Sequence, residues 1–120
     1  MQKDLVFKTM GKMTAREIIE EQIPVAIKKR PELATDINAV VHFNITGANG
    51  GHWTMDLTRK DDWIQQGFQS DAALTITISN DDFVKLRCGQ LNGTAAVMTG
   101  KLQFKPFDLP MAMKVAKLMG

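Results

Sequence analysis

Few side chains in this sequence could do chemistry on a substrate. His42 and His52 are its two histidines and Cys88 its one cysteine, and no nucleophile motif fixes a serine, cysteine or lysine beside them. Alternating hydrophobicity sets His42 across a hairpin from Asp56 on the polar face, where a carboxylate could hold a general base. With no nucleophile in reach, the pair reads instead as a cross-strand surface contact. The histidines share that face ten residues apart with no third ligand evident, so the sequence predicts no metal site and no catalytic residue. Cys88, near the end of an amphipathic helix, is expected to be a small core residue. As the sole cysteine it can form no disulfide within the chain. No cofactor is implied.

What the sequence does supply is apolar contact. Eight methionines in 120 residues is a generous number. Among them, Met98, Met111, Met113 and Met119 are flexible, polarizable groups suited to a cavity that accepts varied tails, with ordinary core packing as the alternative. The closing segment, LPMAMKVAKLM from Leu109 to Met119, carries only Lys114 and Lys117 as charges, three apart on one narrow stripe. A surface helix turns a bit over a third of its circumference to a core, so this helix has more apolar surface than one sheet can cover. Its second neighbour could be other helices, a partner subunit, a membrane or a bound lipid.

The elements that would position these residues follow from periodicity. Thr14 and Glu17 fit a capping box that opens a helix bearing Ile19, Ile23, Ala26 and Ile27, with Pro24 expected to kink or interrupt it before Pro31. Residues 1–13 stay open between added packing through Leu5, Val6 and Phe7 and a mobile arm. From Ile37 the period becomes two: Ile37, Ala39, Val41, Phe43 and Ile45 form one face of a strand. A turn with Gly50 in the left-handed conformation leads to Trp53, Met55 and Leu57. The expected register is Ile45 opposite Trp53, Phe43 opposite Met55 and Val41 opposite Leu57. A weaker third strand falls within residues 62–68, and Leu74, Ile76 and Ile78 mark a strong fourth. Ser79 and Asp82 cap a helix that Gly89 ends, Asn92 caps a short helix through Met98, residues 101–105 give a fifth strand, and Asp108 caps the last helix.

Length and charge narrow the class. A chain of 120 residues, 44% hydrophobic and 23% charged, suits one globular domain, taken here as residues 14–120. No run is long enough to span a membrane and no secretory leader opens the chain, so a soluble, cytoplasmic protein is expected. A net charge of +2 gives no basis for a nucleic-acid partner, although Lys28, Lys29 and Arg30, and then Arg59 and Lys60, form local basic clusters that could meet an anionic head group.

From Val40 to Met119 the sequence resembles the sterol carrier protein type 2 family, through four segments in order. GGHWTMDL, from Gly50 to Leu57, resembles the family's first hairpin with its tryptophan. LTITISNDDFVKL, from Leu74 to Leu86, resembles its strand and aspartate-capped helix. GQLNGTAAVMTGKLQF, from Gly89 to Phe104, resembles its short alanine-bearing helix and GKL strand, and LPMAMKVAKLM its closing helix.

The resemblance implies an α+β fold, a five-stranded sheet covered by helices on one face, with an apolar ligand tunnel between them. It further implies non-catalytic binding and transfer of fatty acids, fatty acyl-CoA, sterols or isoprenoid lipids. The alternative is an accessory or dimerisation module that presents such a lipid to a partner enzyme. The expected tunnel residues are Trp53, Phe83, Leu86, Met98, Thr99, Phe104, Met111, Ala112, Val115 and Met119, with Lys114 and Lys117 attracting a head group or membrane. The implied partners are a lipid and, transiently, membranes or lipid-using enzymes, for a monomer or homodimer. Loose selectivity has a physical basis: at about 0.8 kcal/mol per methylene, a sixteen-carbon tail gains a gross ~12 kcal/mol before ordering costs. Two departures stand out. Thr99 occupies the position of a glutamine found near the ligand in some members, and Pro106-Phe107 replaces glycine-rich sequence, which implies a stiffer or smaller tunnel mouth. The Leu-Met-Gly ending also lacks the peroxisomal signal of animal carriers.

Overall fold

A computed structural model describes residues 13–119, apart from the Met119 side chain. The question of residues 1–13 therefore lies, Met13 excepted, outside the described residues, as does any contact of Met119. The strands are β1 (Val40–Thr46), β2 (Gly51–Asp56), β3 (Ile64–Gln66), β4 (Leu74–Ser79) and β5 (Gln103–Lys105), in sheet order β3-β2-β1-β4-β5. Only the central β1–β4 pair is parallel. Alternation puts Val41, Phe43 and Ile45 of β1 and Leu74, Ile76 and Ile78 of β4 on one buried face. Trp53, Phe43, Ile76 and Phe104 lie side by side across four strands of that face.

The hairpin differs from expectation by two residues. Phe43 pairs with Trp53, Val41 with Met55 and Ile45 with Gly51, while His42 pairs with Thr54 and not with Asp56. An even shift returns every side chain to the same face, so the apolar surface survives the change. The turn is closed by the Gly50 N–H donating to the Gly47 carbonyl at 3.1 Å. Gly47, at φ 94°, and not Gly50, adopts the left-handed conformation. Gly50 is needed for a different reason: a Cβ there would sit 2.2 Å from the Ile45 carbonyl oxygen. At Gly51 a Cβ would meet the Trp53 ring at 2.9 Å, so a glycine also clears space for the indole.

Helix α1 runs as an α-helical start (Ala15–Glu17), a π-helical stretch (Ile18–Gln22) and an α-helical end (Ile23–Lys29). Thr14 caps it by accepting from the Glu17 N–H. Pro24 does not break the helix. The wider π turn falls just before it, where an α-helical turn would press the proline ring on the preceding carbonyl. A helix absent from the sequence reading, α2 (Glu32–Ile37), follows and is ended by Asn38 at φ 44°. Ile37 thus belongs to a helix and not to the first strand: Leu33, Ala34 and Ile37 are buried at helical spacing, and Asn38 tolerates the left-handed turn that separates them from β1.

Helix α3 (Asn80–Arg87) has the predicted Ser79 cap, whose hydroxyl accepts from the Asp82 N–H at 3.1 Å. Asn92 caps α4 (Gly93–Met98) through two backbone N–H groups. Asp108 accepts from the Met111 N–H at 3.1 Å and starts α5 (Leu109–Met119). Gly89 ends its helix at positive φ, as expected, and Gly100 follows α4 at positive φ as well. Phe83 of α3 meets Phe43 edge to face at 6.0 Å, which seats that helix on the apolar face of the sheet. Asn80 ties α3 to α1 by accepting from the buried Ala15 N–H at 2.7 Å. Cys88 is exposed rather than core, because it caps the solvent side of the last turn of α3. Among the described residues no helix is long and apolar enough to cross a membrane.

Candidate functional site

Helix α5 packs on α1 and α2, not flat on the sheet. Val115 and Leu118 are buried in that contact, and Met111 and Ala112 are half-buried against the same core. Lys114 anchors the neighbouring edge by donating from Nζ to the Asp36 carbonyl at 3.3 Å. At 100° per residue, Leu109 and Met113 project from roughly the opposite side of the helix from Leu118. They are 46% and 58% exposed. The helix therefore does find two apolar neighbours, but they cover only part of its apolar arc. Just before it, Phe107 is 72% exposed and stacks on Phe104 at 4.8 Å, nearly parallel.

The residues expected to touch a lipid divide into three groups. Trp53, Phe83, Phe104 and Val115 are buried in the core. Leu86, Met111 and Ala112 are half-buried against it, at the boundary where a tail could be admitted. Met98 and Thr99 lie at the surface, Met98 with 82% of its area exposed. The Thr99 hydroxyl donates to the Ala95 carbonyl at 2.8 Å, so it serves its own helix end first. Lys117 is exposed.

Trp53 is held by a group that periodicity did not reveal. Its Nε1 donates to Glu20 Oε2 at 2.8 Å, and the same oxygen accepts from Gln66 Nε2 at 3.1 Å. Arg16, one turn earlier on α1, donates to the other oxygen at 3.2 Å. The Arg16–Glu20 spacing was legible as a helical pair; the link to the hairpin is tertiary. Burial pushes the Glu20 carboxyl up, but the bonds from Trp53, Gln66 and Arg16 outweigh it and leave the group below the ordinary glutamate value. A depressed folded value means stability that is present above the unfolded pKa of about 4.3 and lost as pH falls through the folded one. Glu20→Gln should accordingly be less stable than wild type near neutral pH, and the gap should close in acid, as urea midpoints at both pH values would show.

On the opposite face of the sheet, Phe68 lies between His42 and His52, with ring separations of 4.3 and 4.5 Å. Thr54 fixes this segment by donating to the Gly67 carbonyl and accepting from the Gln69 N–H. The expected surface pairing of His42 with Asp56 is thus replaced by a stacked, buried imidazole whose Nε2 has no hydrogen-bond partner among the described residues. A depression of about 650 Å³ opens at the hairpin tip beside Gly50, His52 and Gln66, and of the expected lipid contacts it includes only Trp53.

A five-stranded mixed sheet with helices over one apolar face, closed by an apolar terminal helix, defines a sterol-carrier-protein-like α+β domain. The model of the SCP-2 sterol transfer family matches residues 19–120, and the chain belongs to that family. Over 82 residues it is 43% identical to hydroxysteroid dehydrogenase-like protein 2 of Bos taurus, covering 68% of this chain and 19% of that protein. The chain thus spans about a fifth of the length of that curated relative. Sterol carrier protein 2 from Yarrowia lipolytica, in its apo form, superposes with a TM-score of 0.66 at 25% identity, covering 98% of this chain and 89% of that one. Aedes aegypti sterol carrier protein-2 in complex with the C16 fatty acid palmitate gives 0.69 at 19% identity, covering 87% and 92%.

Proposed function

We propose that this chain binds and transfers lipids without catalysing a reaction on them. The tail would lie between the apolar face of the sheet and α5, against Phe83, Leu86, Phe104, Met111 and Ala112, with Val115 packed behind them on α1 and α2. Fatty acids, fatty acyl-CoA, sterols and isoprenoid lipids all offer the apolar length this wall needs. Lys114 and Lys117 would draw an anionic head group toward the helix. The observation that carries the reading is the incomplete burial of the core-facing side of α5: Met111 and Ala112 are only half-buried, beside the buried Val115 and Leu118. Family membership and the palmitate held by the Aedes protein support it.

Displacement of a fluorescent fatty acid tests the proposal, together with native mass spectrometry and lipid extraction of the purified protein. Met111→Asp places a charge where the tail would rest and should weaken displacement more than tenfold while leaving the protein folded. A wild-type protein that carries no lipid and displaces no probe would end the carrier reading. A second reading is favoured by the length of the bovine relative, in which a region like this chain is only about a fifth of the whole. On that reading the domain presents a bound lipid to an enzyme, and it would bind the probe equally well but raise the enzyme's turnover only when present with it.

A further inference from the structure

We propose that the surface formed around β5 and the start of α5 docks on an anionic lipid bilayer, with Phe107 and Leu109 entering the interface and lysines facing the head groups. This rests on the lipid-carrying reading and adds the place at which lipid would be exchanged. Six large hydrophobic residues are exposed among the described residues, and four of them, Met98, Phe107, Leu109 and Met113, fall in the sixteen residues from 98 to 113. Three of them, Phe107, Leu109 and Met113, fall within seven consecutive residues. Met98 ends the helix before β5, and Phe107 follows that strand after Pro106. Leu109 and Met113 are one turn apart on the same side of α5.

The charge around these residues is mostly positive. From residue 98 to 119 there are four lysines, Lys101, Lys105, Lys114 and Lys117, against the single acid Asp108, a net +3 in a chain whose total is +2. All four lysines are exposed. Asp108 is engaged in capping α5. The acids of the adjoining α2 are Glu32, paired with Arg30 at 3.1 Å, and Asp36, whose backbone carbonyl accepts from Lys114. Exposed apolar side chains with exposed lysines near them in the chain complement a surface that is apolar beneath and negative above, which is the chemistry of an anionic bilayer.

Flotation of the full chain with vesicles of phosphatidylcholine alone and of phosphatidylcholine with phosphatidylserine at about 7:3 decides the matter, in about 0.1 M salt where charge attraction is still felt. Wild type should partition at least tenfold better to the serine-containing vesicles. Phe107→Ser should lose roughly tenfold on them, the burial of one aromatic side chain. The double variant Lys101→Gln, Lys105→Gln should lose most of the preference for phosphatidylserine, roughly fivefold per lysine. Each of these residues is exposed, so the variants should keep the wild-type melting temperature. Equal partitioning of wild type to both vesicles, or no loss in Phe107→Ser, would overturn the proposal. So would a dimer in sedimentation equilibrium that Phe107→Ser disperses, since a second copy would then be the occupant of the surface. Displacement of a fluorescent fatty acid in vesicle-free solution is read separately: its absence with vesicle docking intact would remove the carrier reading and leave the docking surface standing.

Discussion

Val115→Asp is expected to unfold the domain, not merely to empty it. Val115 has no exposed area and sits on the face of α5 that packs against α1 and α2. An aspartate there must either ionise without a partner or hold a proton in an apolar site, at a cost of more than about 4 kcal/mol. A domain of this size is stable by about 5–15 kcal/mol, so the urea midpoint should fall by roughly 2 M or the transition should vanish. Circular dichroism during urea titration checks it. Met111→Asp, one turn away but half-buried, is the contrasting case and should keep its transition. If Val115→Asp instead folded normally and lost only lipid uptake, Val115 would face an open tunnel and the packing of α5 described above would be wrong.

The second large effect is at the centre of the sheet. Phe43 is fully buried, flanked by Trp53 and Ile76 on the neighbouring strands and met edge-on by Phe83 from above. Phe43→Ala should cost about 3–5 kcal/mol, through lost burial and the cavity left among these neighbours. Chemical denaturation of the purified variant measures this directly. Phe107→Ala, exposed at the other end of the same row of aromatics, should change stability by no more than about 0.5 kcal/mol. The two phenylalanines then separate a residue that holds the fold together from one that is free to meet something outside it.

Periodicity and caps carried much of the fold. Ser79, Asn92 and Asp108 cap the helices they were expected to cap, because each motif is satisfied within one turn of chain. The strands containing Val41, Trp53 and Ile76 were legible from alternation alone. What alternation cannot fix is register in steps of two, since such a shift leaves every face unchanged; this is why His42 was matched with Asp56 and not Thr54. α2 was hidden for a related reason: Ile37, Ala39 and Val41 continue an alternating pattern straight through the left-handed Asn38 that breaks it. Within the candidate site, the chain pattern identified α5 as too apolar for one neighbour but could not say which arc would be covered. Met111 and Val115 looked alike on the helical wheel, and only the approach of α1 and α2 distinguishes them. The Glu20–Trp53 bond and the stacking of Phe68 on two histidines join residues far apart in sequence, and no local signal announces them.

Both outer strands of the sheet, β3 and β5, are only three residues long. A protein that leaves apolar side chains open on its surface risks polymerising if the same surface also offers a long row of free backbone donors and acceptors. Here the row beside the open patch ends at once: Lys105 is charged, and Pro106 after it has no N–H to give. The stickiness of Phe107 and Leu109 is thereby kept away from strand pairing, so that greasy contact can form and dissolve without seeding a fibre.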